Sequence, residues 1–137
     1  MDINSIGAGI LSPIDKKAAR LKNPVVLAFI GDTVYDLFVR SMLVKASEEH
    51  VYALNKKARD FVNAEAQARA AEKLEFTEEE EAIFKRARNA KVGSVAKNMS
   101  VTDYHKATGL EAVVGYLYLT GDTARLEALF ERILKNE

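Results

Sequence analysis

The stretch from residue 24 to residue 44, PVVLAFIGDTVYDLFVRSMLV, most constrains what this chain can fold into. It is apolar over most of its length, yet it carries an acid, Asp32, near its middle. An ionised carboxylate that is removed from water is costly unless it is paired, hydrogen-bonded or bound to a metal ion. We therefore expect a buried helix around Asp32, and a partner for its carboxylate elsewhere in the chain.

The composition favours one all-α domain. A chain of 137 residues can bury roughly two-thirds of the surface that it exposes when unfolded, and no period-2 alternation of the kind that indicates β-strands is present. There is no cysteine, which excludes disulfides and thiolate metal sites and suits a reducing compartment. Neither a signal peptide nor an uninterrupted membrane span is evident, so we expect a soluble, cytoplasmic protein.

Capping residues predict where the helices begin. Residues 1–22 are predicted to form an N-terminal arm with a short basic helix at 14–21, and residues 23–137 the main domain. Asn23 before Pro24 is typical of a helix start, and Thr77 with Glu80 predicts a capping box. The other predicted boundaries are a cap at Ser47, a kink near Asn63 and a cap at Asp122.

A second apolar segment, GLEAVVGYLYL, supplies the partner that Asp32 requires. Glu111 is the one acid in the helix predicted from Leu110 to Leu119, and Gly115 lies four residues later on the same face. This mirrors Gly31 beside Asp32. Two helices that cross at their glycines could bring both carboxylates to one point, where a hard cation such as Mg²⁺ would neutralise them.

The charge distribution predicts a local positive field. The net charge is zero, but residues 85–106 carry six bases and one acid. An irregular basic segment with an aromatic side chain and hydroxyl donors can bind the phosphates and ribose hydroxyls of RNA. Two solvated helix faces of opposite charge remain an alternative, and Tyr104 could belong to the core. The candidate RNA-binding residues are Arg88, Lys91, Lys97, Tyr104 and Lys106.

These segments resemble a known family. LAFIGDTVYDL is similar to the signature helix of ribonuclease III, whose common form is LEFLGDxxL, and GLEAVVGYLYL resembles the second carboxylate helix of that family. With the basic segment RNAKVGSVAKN between them, their order is similar to the Mini-ribonuclease III branch, a bare catalytic domain that lacks a double-stranded-RNA-binding domain. The resemblance covers nearly the whole chain from about residue 24.

The resemblance implies a helical endonuclease domain at residues 23–137 that cleaves double-stranded RNA with Mg²⁺ and leaves 5′-phosphate and 3′-hydroxyl ends. It implies that Asp32 and Glu111 are catalytic metal ligands, and that the substrate is the 23S rRNA precursor. Two further acidic positions of the family are occupied here by Ala28 and Thr108. The Mini branch shares this simpler set, which therefore agrees with the resemblance.

The resemblance also implies a homodimer. The excess apolar surface at Val25, Val26 and Phe29 is the predicted dimer interface, because a two-fold contact must be self-complementary. Asp36 is expected to pair with Arg40 one turn later, or to lie in the outer shell of the metal. Two other functions stay open: a double-stranded-RNA-binding scaffold that keeps this fold without turnover, and a helical partner-binding domain with no RNA affinity.

Overall fold

The protein is described by a computed structural model that covers residues 9–91 and 100–135, and these two ranges contain seven helices and no strand. The predicted all-α class is therefore confirmed. The helices are α1 (Lys16–Arg20), α2 (Pro24–Ala46), α3 (Val51–Val62), α4 (Ala64–Lys73), α5 (Glu78–Arg88), α6 (Val101–Leu119) and α7 (Thr123–Leu134).

Helix α6 forms the centre of the bundle. It packs most extensively against α2, and also against α5, α4 and α7. Its residues from Ala107 to Leu117 are buried, with the exception of Glu111, which is half-buried. A helix that is covered on several sides needs apolar residues all round, which explains why α6 shows no single apolar stripe.

Most of the predicted helix starts are confirmed. The side chain of Asn23 accepts a hydrogen bond from the Val25 amide, with Pro24 in the first turn. Thr77 and Glu80 form the complete capping box at the start of α5. The side chain of Asp122 caps α7, and Asn63 separates α3 from α4 while its side chain caps α4.

Two predicted boundaries are wrong. Ser47 follows the end of α2, and α3 begins at Val51, because the Ser47 hydroxyl binds the Glu49 amide in the connection and does not cap a helix. Helix α6 begins at Val101 instead of Leu110, because the Ser100 hydroxyl accepts a hydrogen bond from the Asp103 amide at 3.3 Å and caps a polar first turn. The part of the basic segment from residue 101 onwards is therefore helical.

The N-terminal arm is joined to the bundle. Its predicted helix exists as the shorter α1, and Ala19 on that helix is fully buried. The Ile14 amide donates to the Leu119 carbonyl at the end of α6, at 2.8 Å. Within the described ranges, no helix has both the length and the apolar character that a bilayer crossing requires.

Candidate functional site

Helices α2 and α6 cross at two glycines, as the sequence predicted. A Cβ atom on Gly31 would overlap the backbone carbonyl of Glu111, and one on Gly115 would overlap the backbone carbonyl of Leu27. The same Gly115 Cβ would lie 3.0 Å from the amide nitrogen of Gly31. Any side chain at either position would force the helices apart, so the two glycines set the close approach of the two backbones.

This crossing brings the two predicted acids together. The carboxyl of Glu111 forms a hydrogen bond with the carboxylate of Asp32, although the two residues are far apart in sequence. The expectation that both acids are buried is wrong for Asp32, which is solvent-exposed. Gly31 faces α6, and the next residue is rotated by about 100° around the helix axis. Asp32 therefore lies at the edge of the contact, and Glu111 lies further inside.

The Glu111 carboxyl is held in its protonated form. Burial is the main cause, and the hydrogen bond and negative charge of Asp32 act in the same direction, so that the pKa of Glu111 is raised to about 9. Neither acid forms a salt bridge with any base in residues 9–91 and 100–135. A cation placed between the two oxygens would remove both the repulsion and the cost of burying the charge.

Two buried residues beside Glu111 were not predicted from the sequence. Gln67 of α4 is 2% exposed, and its Nε2 atom donates to Oε2 of Glu111 at 3.5 Å. Tyr35 of α2 is fully buried, and its hydroxyl has no hydrogen-bond partner in the described ranges. Burial, and after it the charge of Glu111, raises the pKa of Tyr35 well above its usual value. Only the three-dimensional packing shows that these two side chains lie beside Glu111.

The other three positions that the sequence analysis considered for the metal site contribute no carboxylate to the crossing. Ala28 is buried in the core. Thr108 is also buried, and its hydroxyl donates to the Tyr104 carbonyl within α6, at 2.9 Å. Asp36 pairs with Arg40 at 3.1 Å, as expected for neighbours one turn apart. The described residues contain no group of three or more acidic, histidine or cysteine side chains that could hold a metal ion.

The candidate RNA-binding residues have different surroundings. Arg88 is half-buried, and its guanidinium lies over the Phe84 ring at 5.8 Å from the centroid. Lys91 is exposed just after α5. Tyr104 packs edge-on against His105, at 5.9 Å between ring centroids. The Nζ atom of Lys106 lies 2.7 Å from the Glu72 carboxylate, which lowers the pKa of Glu72. The remaining candidate, Lys97, lies outside the described residues.

The predicted interface residues form an exposed apolar surface beside Asp32. Val25 is 36% exposed, Val26 is 52% exposed and Phe29 is 80% exposed. Phe29 and Asp32 are three residues apart on α2, so their side chains are neighbours on one face of the helix. A large aromatic side chain this exposed is unusual for a helix whose opposite face forms the core.

Comparison with known proteins gives consistent matches. A family model described as the ribonuclease III domain matches residues 25–122. The Mini-ribonuclease 3 of Clostridium tetani is 41% identical over 122 residues, which cover 87% of this chain and 81% of that protein. The Mini-ribonuclease 3 of Staphylococcus aureus is 41% identical over 119 residues, which cover 84% of this chain and 89% of that protein.

A solved structure has the same fold. A protein from Fusobacterium nucleatum with a known crystal structure superimposes with a TM-score of 0.78 at 27% sequence identity. The superposition covers 85% of this chain and 98% of that one. The matched part of this chain therefore corresponds to nearly the whole of that protein.

Proposed function

Because the chain belongs to the ribonuclease III family and is an endoribonuclease, we propose that it cleaves double-stranded RNA with Mg²⁺ at Asp32 and Glu111. Members of this family act on double-stranded RNA and generally use a divalent metal ion. The observation that carries the proposal is the meeting of these two carboxylates where α2 crosses α6. This arrangement joins an exposed acid, which a polyanionic substrate can reach, to a half-buried one.

The donor atoms fit a hard divalent cation. Two neighbouring carboxyl groups provide oxygen ligands, and Mg²⁺ is bound in proteins by one or two carboxylates together with retained waters. When bound, Mg²⁺ supplies Lewis-acid charge that activates water for attack and stabilises negative charge on the phosphate. Asp32 and Glu111 would hold the ion, and hydrolysis would leave 5′-phosphate and 3′-hydroxyl ends.

Recognition of the duplex is proposed to depend on its backbone. A-form RNA displays its 2′-hydroxyls and phosphates across a wide, shallow groove, so basic and hydroxyl side chains can bind it without reading its sequence. Arg88 ends α5 and Lys91 follows that helix, and Tyr104 lies two turns before Glu111 on the same face of α6. Lys106 would have to exchange its Glu72 partner for a phosphate. Lys97 completes the proposed set.

We further propose that two copies assemble through the apolar surface of Val25, Val26 and Phe29. This surface adjoins Asp32, so a two-fold axis there would place a second carboxylate pair near the opposite strand of the duplex. The catalytic domain would comprise residues 23–137, and residues 1–22 would form the arm. The proposed biological task is maturation of the 23S rRNA precursor in the cytoplasm, which is the task that the sequence resemblance implies.

One observation favours a second function. Because Ala28 and Thr108 supply no carboxylate, the chain could be a double-stranded-RNA-binding scaffold with little or no turnover. The two functions differ in one measurable property. The enzyme cuts the RNA that it binds when Mg²⁺ is present, whereas the scaffold binds it without cutting.

A cleavage assay with matched carboxylate variants tests the proposal. Labelled duplex RNA is incubated with the wild type, Asp32→Asn and Asp36→Asn, each with Mg²⁺ and with a chelator. We expect Asp32→Asn to cut about 100-fold more slowly or worse, because it loses a metal ligand. Asp36→Asn is the control, since Asp36 pairs with Arg40 one turn away, and it should cut like the wild type. Binding without cutting by all three proteins would support the scaffold.

A further inference from the structure

Gln67 is a polar side chain among the buried residues of α4, which are otherwise small and apolar. The other buried residues of α4 are alanines, at positions 68, 70 and 71. A buried amide without a hydrogen bond costs about 1–3 kcal/mol. Leucine or methionine would fill the same space without that cost, so packing alone does not explain why an amide occupies this position.

The start of α4 determines where the Gln67 side chain points. Asn63 accepts a hydrogen bond from the Ala66 amide at 2.8 Å and donates its own side-chain amide to the Arg59 carbonyl at 2.9 Å. The Gln67 amide nitrogen bonds to the Asn63 carbonyl at 3.0 Å in the first turn. These contacts fix the beginning of α4, and the Gln67 side chain reaches Glu111 of α6.

The Gln67 amide contacts one end of the carboxylate pair. In the described part of the chain, Oε2 of Glu111 is the only side-chain atom to which Gln67 Nε2 donates, at 3.5 Å. This bond restricts the rotation of the Glu111 carboxylate in a half-buried position where no base neutralises it. Side chains that orient a ligand in this way strongly affect metal affinity even though they do not touch the metal.

We propose that Gln67 is a positioning residue that holds the Glu111 carboxylate in the orientation needed to bind a divalent cation together with Asp32. The inference rests on the proposed metal site at these two acids. Through Gln67, helix α4 contributes a residue to the site. At positions 28 and 108, on α2 and α6, alanine and threonine replace the further acids of the family.

The test measures metal binding without RNA. The melting temperature of the wild type, Gln67→Met and Tyr35→Phe is followed during a Mg²⁺ titration. Methionine matches the length of glutamine but cannot donate, so we expect Gln67→Met to need about 10-fold more Mg²⁺ for the half-maximal effect. Its melting temperature without metal should not fall, because the variant removes a buried amide. Tyr35→Phe is the control, since it removes a buried hydroxyl beside Glu111 that has no hydrogen-bond partner in the described ranges.

Cleavage kinetics provide an independent readout. For Gln67→Met we expect kcat to fall at limiting Mg²⁺ and to recover at high Mg²⁺, while KM for the duplex is unchanged. Gln67→Leu fills the same space with a different shape and should behave in the same way. Failure of both variants to fold would show that Gln67 serves the fold, and would overturn the inference.

Two other outcomes are distinguishable. If the wild type responds to Mg²⁺ and Gln67→Met responds at the same concentration, the positioning role is wrong and the proposed metal site stands. The positioning role is also wrong if Tyr35→Phe shifts the requirement as much as Gln67→Met does. If Mg²⁺ does not change the melting temperature of the wild type at all, the proposed metal site and the proposed role of Gln67 are both wrong.

Discussion

Replacing Glu111 by glutamine should stabilise the metal-free protein at neutral pH. Glutamine has nearly the same shape as glutamate, and its amide can donate to Asp32 while its carbonyl accepts from Gln67. It therefore keeps the two contacts of Glu111 but cannot ionise. When no cation is bound, the ionisable carboxyl group of Glu111 lowers the stability of the fold. The substitution removes this cost.

The magnitude follows from the raised pKa of Glu111. The pKa is about 9 in the folded protein, against an ordinary value of 4.5 that applies to the unfolded chain. Between these values the folded state binds a proton that the unfolded state has lost, so stability falls as the pH rises. At about 1.4 kcal/mol per pH unit, the loss between pH 4.5 and pH 7 reaches about 3 kcal/mol. For a chain of this length that corresponds to about 10 °C in melting temperature.

The assay is thermal or urea unfolding in a chelating buffer between pH 5 and pH 8. We expect Glu111→Gln to be more stable than the wild type at pH 7, with a difference that grows as the pH rises. Asp36→Asn is the matched control, because Asp36 forms an exposed pair with Arg40 worth only a few tenths of a kcal/mol. A variant that is no more stable than the wild type at pH 7, with the same pH dependence, would refute the reasoning.

Three further predictions concern the crossing, the buried ion pair and the interface. Gly31→Ala should lower the free energy of unfolding by about 3 kcal/mol or more, because its Cβ would overlap the Glu111 backbone; urea unfolding measures this loss. Arg125→Met should lower the free energy of unfolding by about 3–5 kcal/mol in the same assay. The variant leaves the buried Glu80 carboxylate without its charged partner, the Arg125 guanidinium, which lies 2.8 Å away. Phe29→Glu should yield a folded monomer in sedimentation, and a dimer that persists would contradict the proposed interface.

The crossing of α2 and α6 could be predicted because sequence alone exposes its physical cause. Glycine in the interior of a helix is unfavourable by about 1 kcal/mol relative to alanine, so its presence beside an acid indicates close approach of another backbone. Gly31 and Gly115 gave that signal, and both meet backbone atoms of the opposite helix. The capping box of Thr77 and Glu80 could also be predicted, because its geometry depends only on residues that are close in sequence.

Contacts between distant helices could not be read from the sequence. Glu80 was explained as a capping residue, but its carboxylate also receives two hydrogen bonds from Arg125 of α7, at 2.8 Å each. That pair depends on how α5 and α7 pack, which no local pattern specifies. Gln67 was missed for the same reason, because an amide in an alanine-rich helix has no periodic signal until its burial is known.

The exposure of Asp32 shows a limit of reasoning from hydrophobicity. The apolar run around Asp32 predicted a buried helix, but α2 keeps one face open, along which Val26, Phe29 and Leu37 are also exposed. A run of apolar residues does not reveal whether its outer face is covered by the same chain. The proposed second copy would cover part of this face.

The central claim is that Asp32 and Glu111 bind one divalent cation together. It is tested most directly by a crystal structure of the protein soaked in Mn²⁺, in which anomalous scattering locates the metal ion. We predict an anomalous peak at coordination distance from a carboxylate oxygen of each residue, and no such peak in Asp32→Asn crystals. A peak bound by only one of the two acids, or located away from the crossing of α2 and α6, would contradict the account.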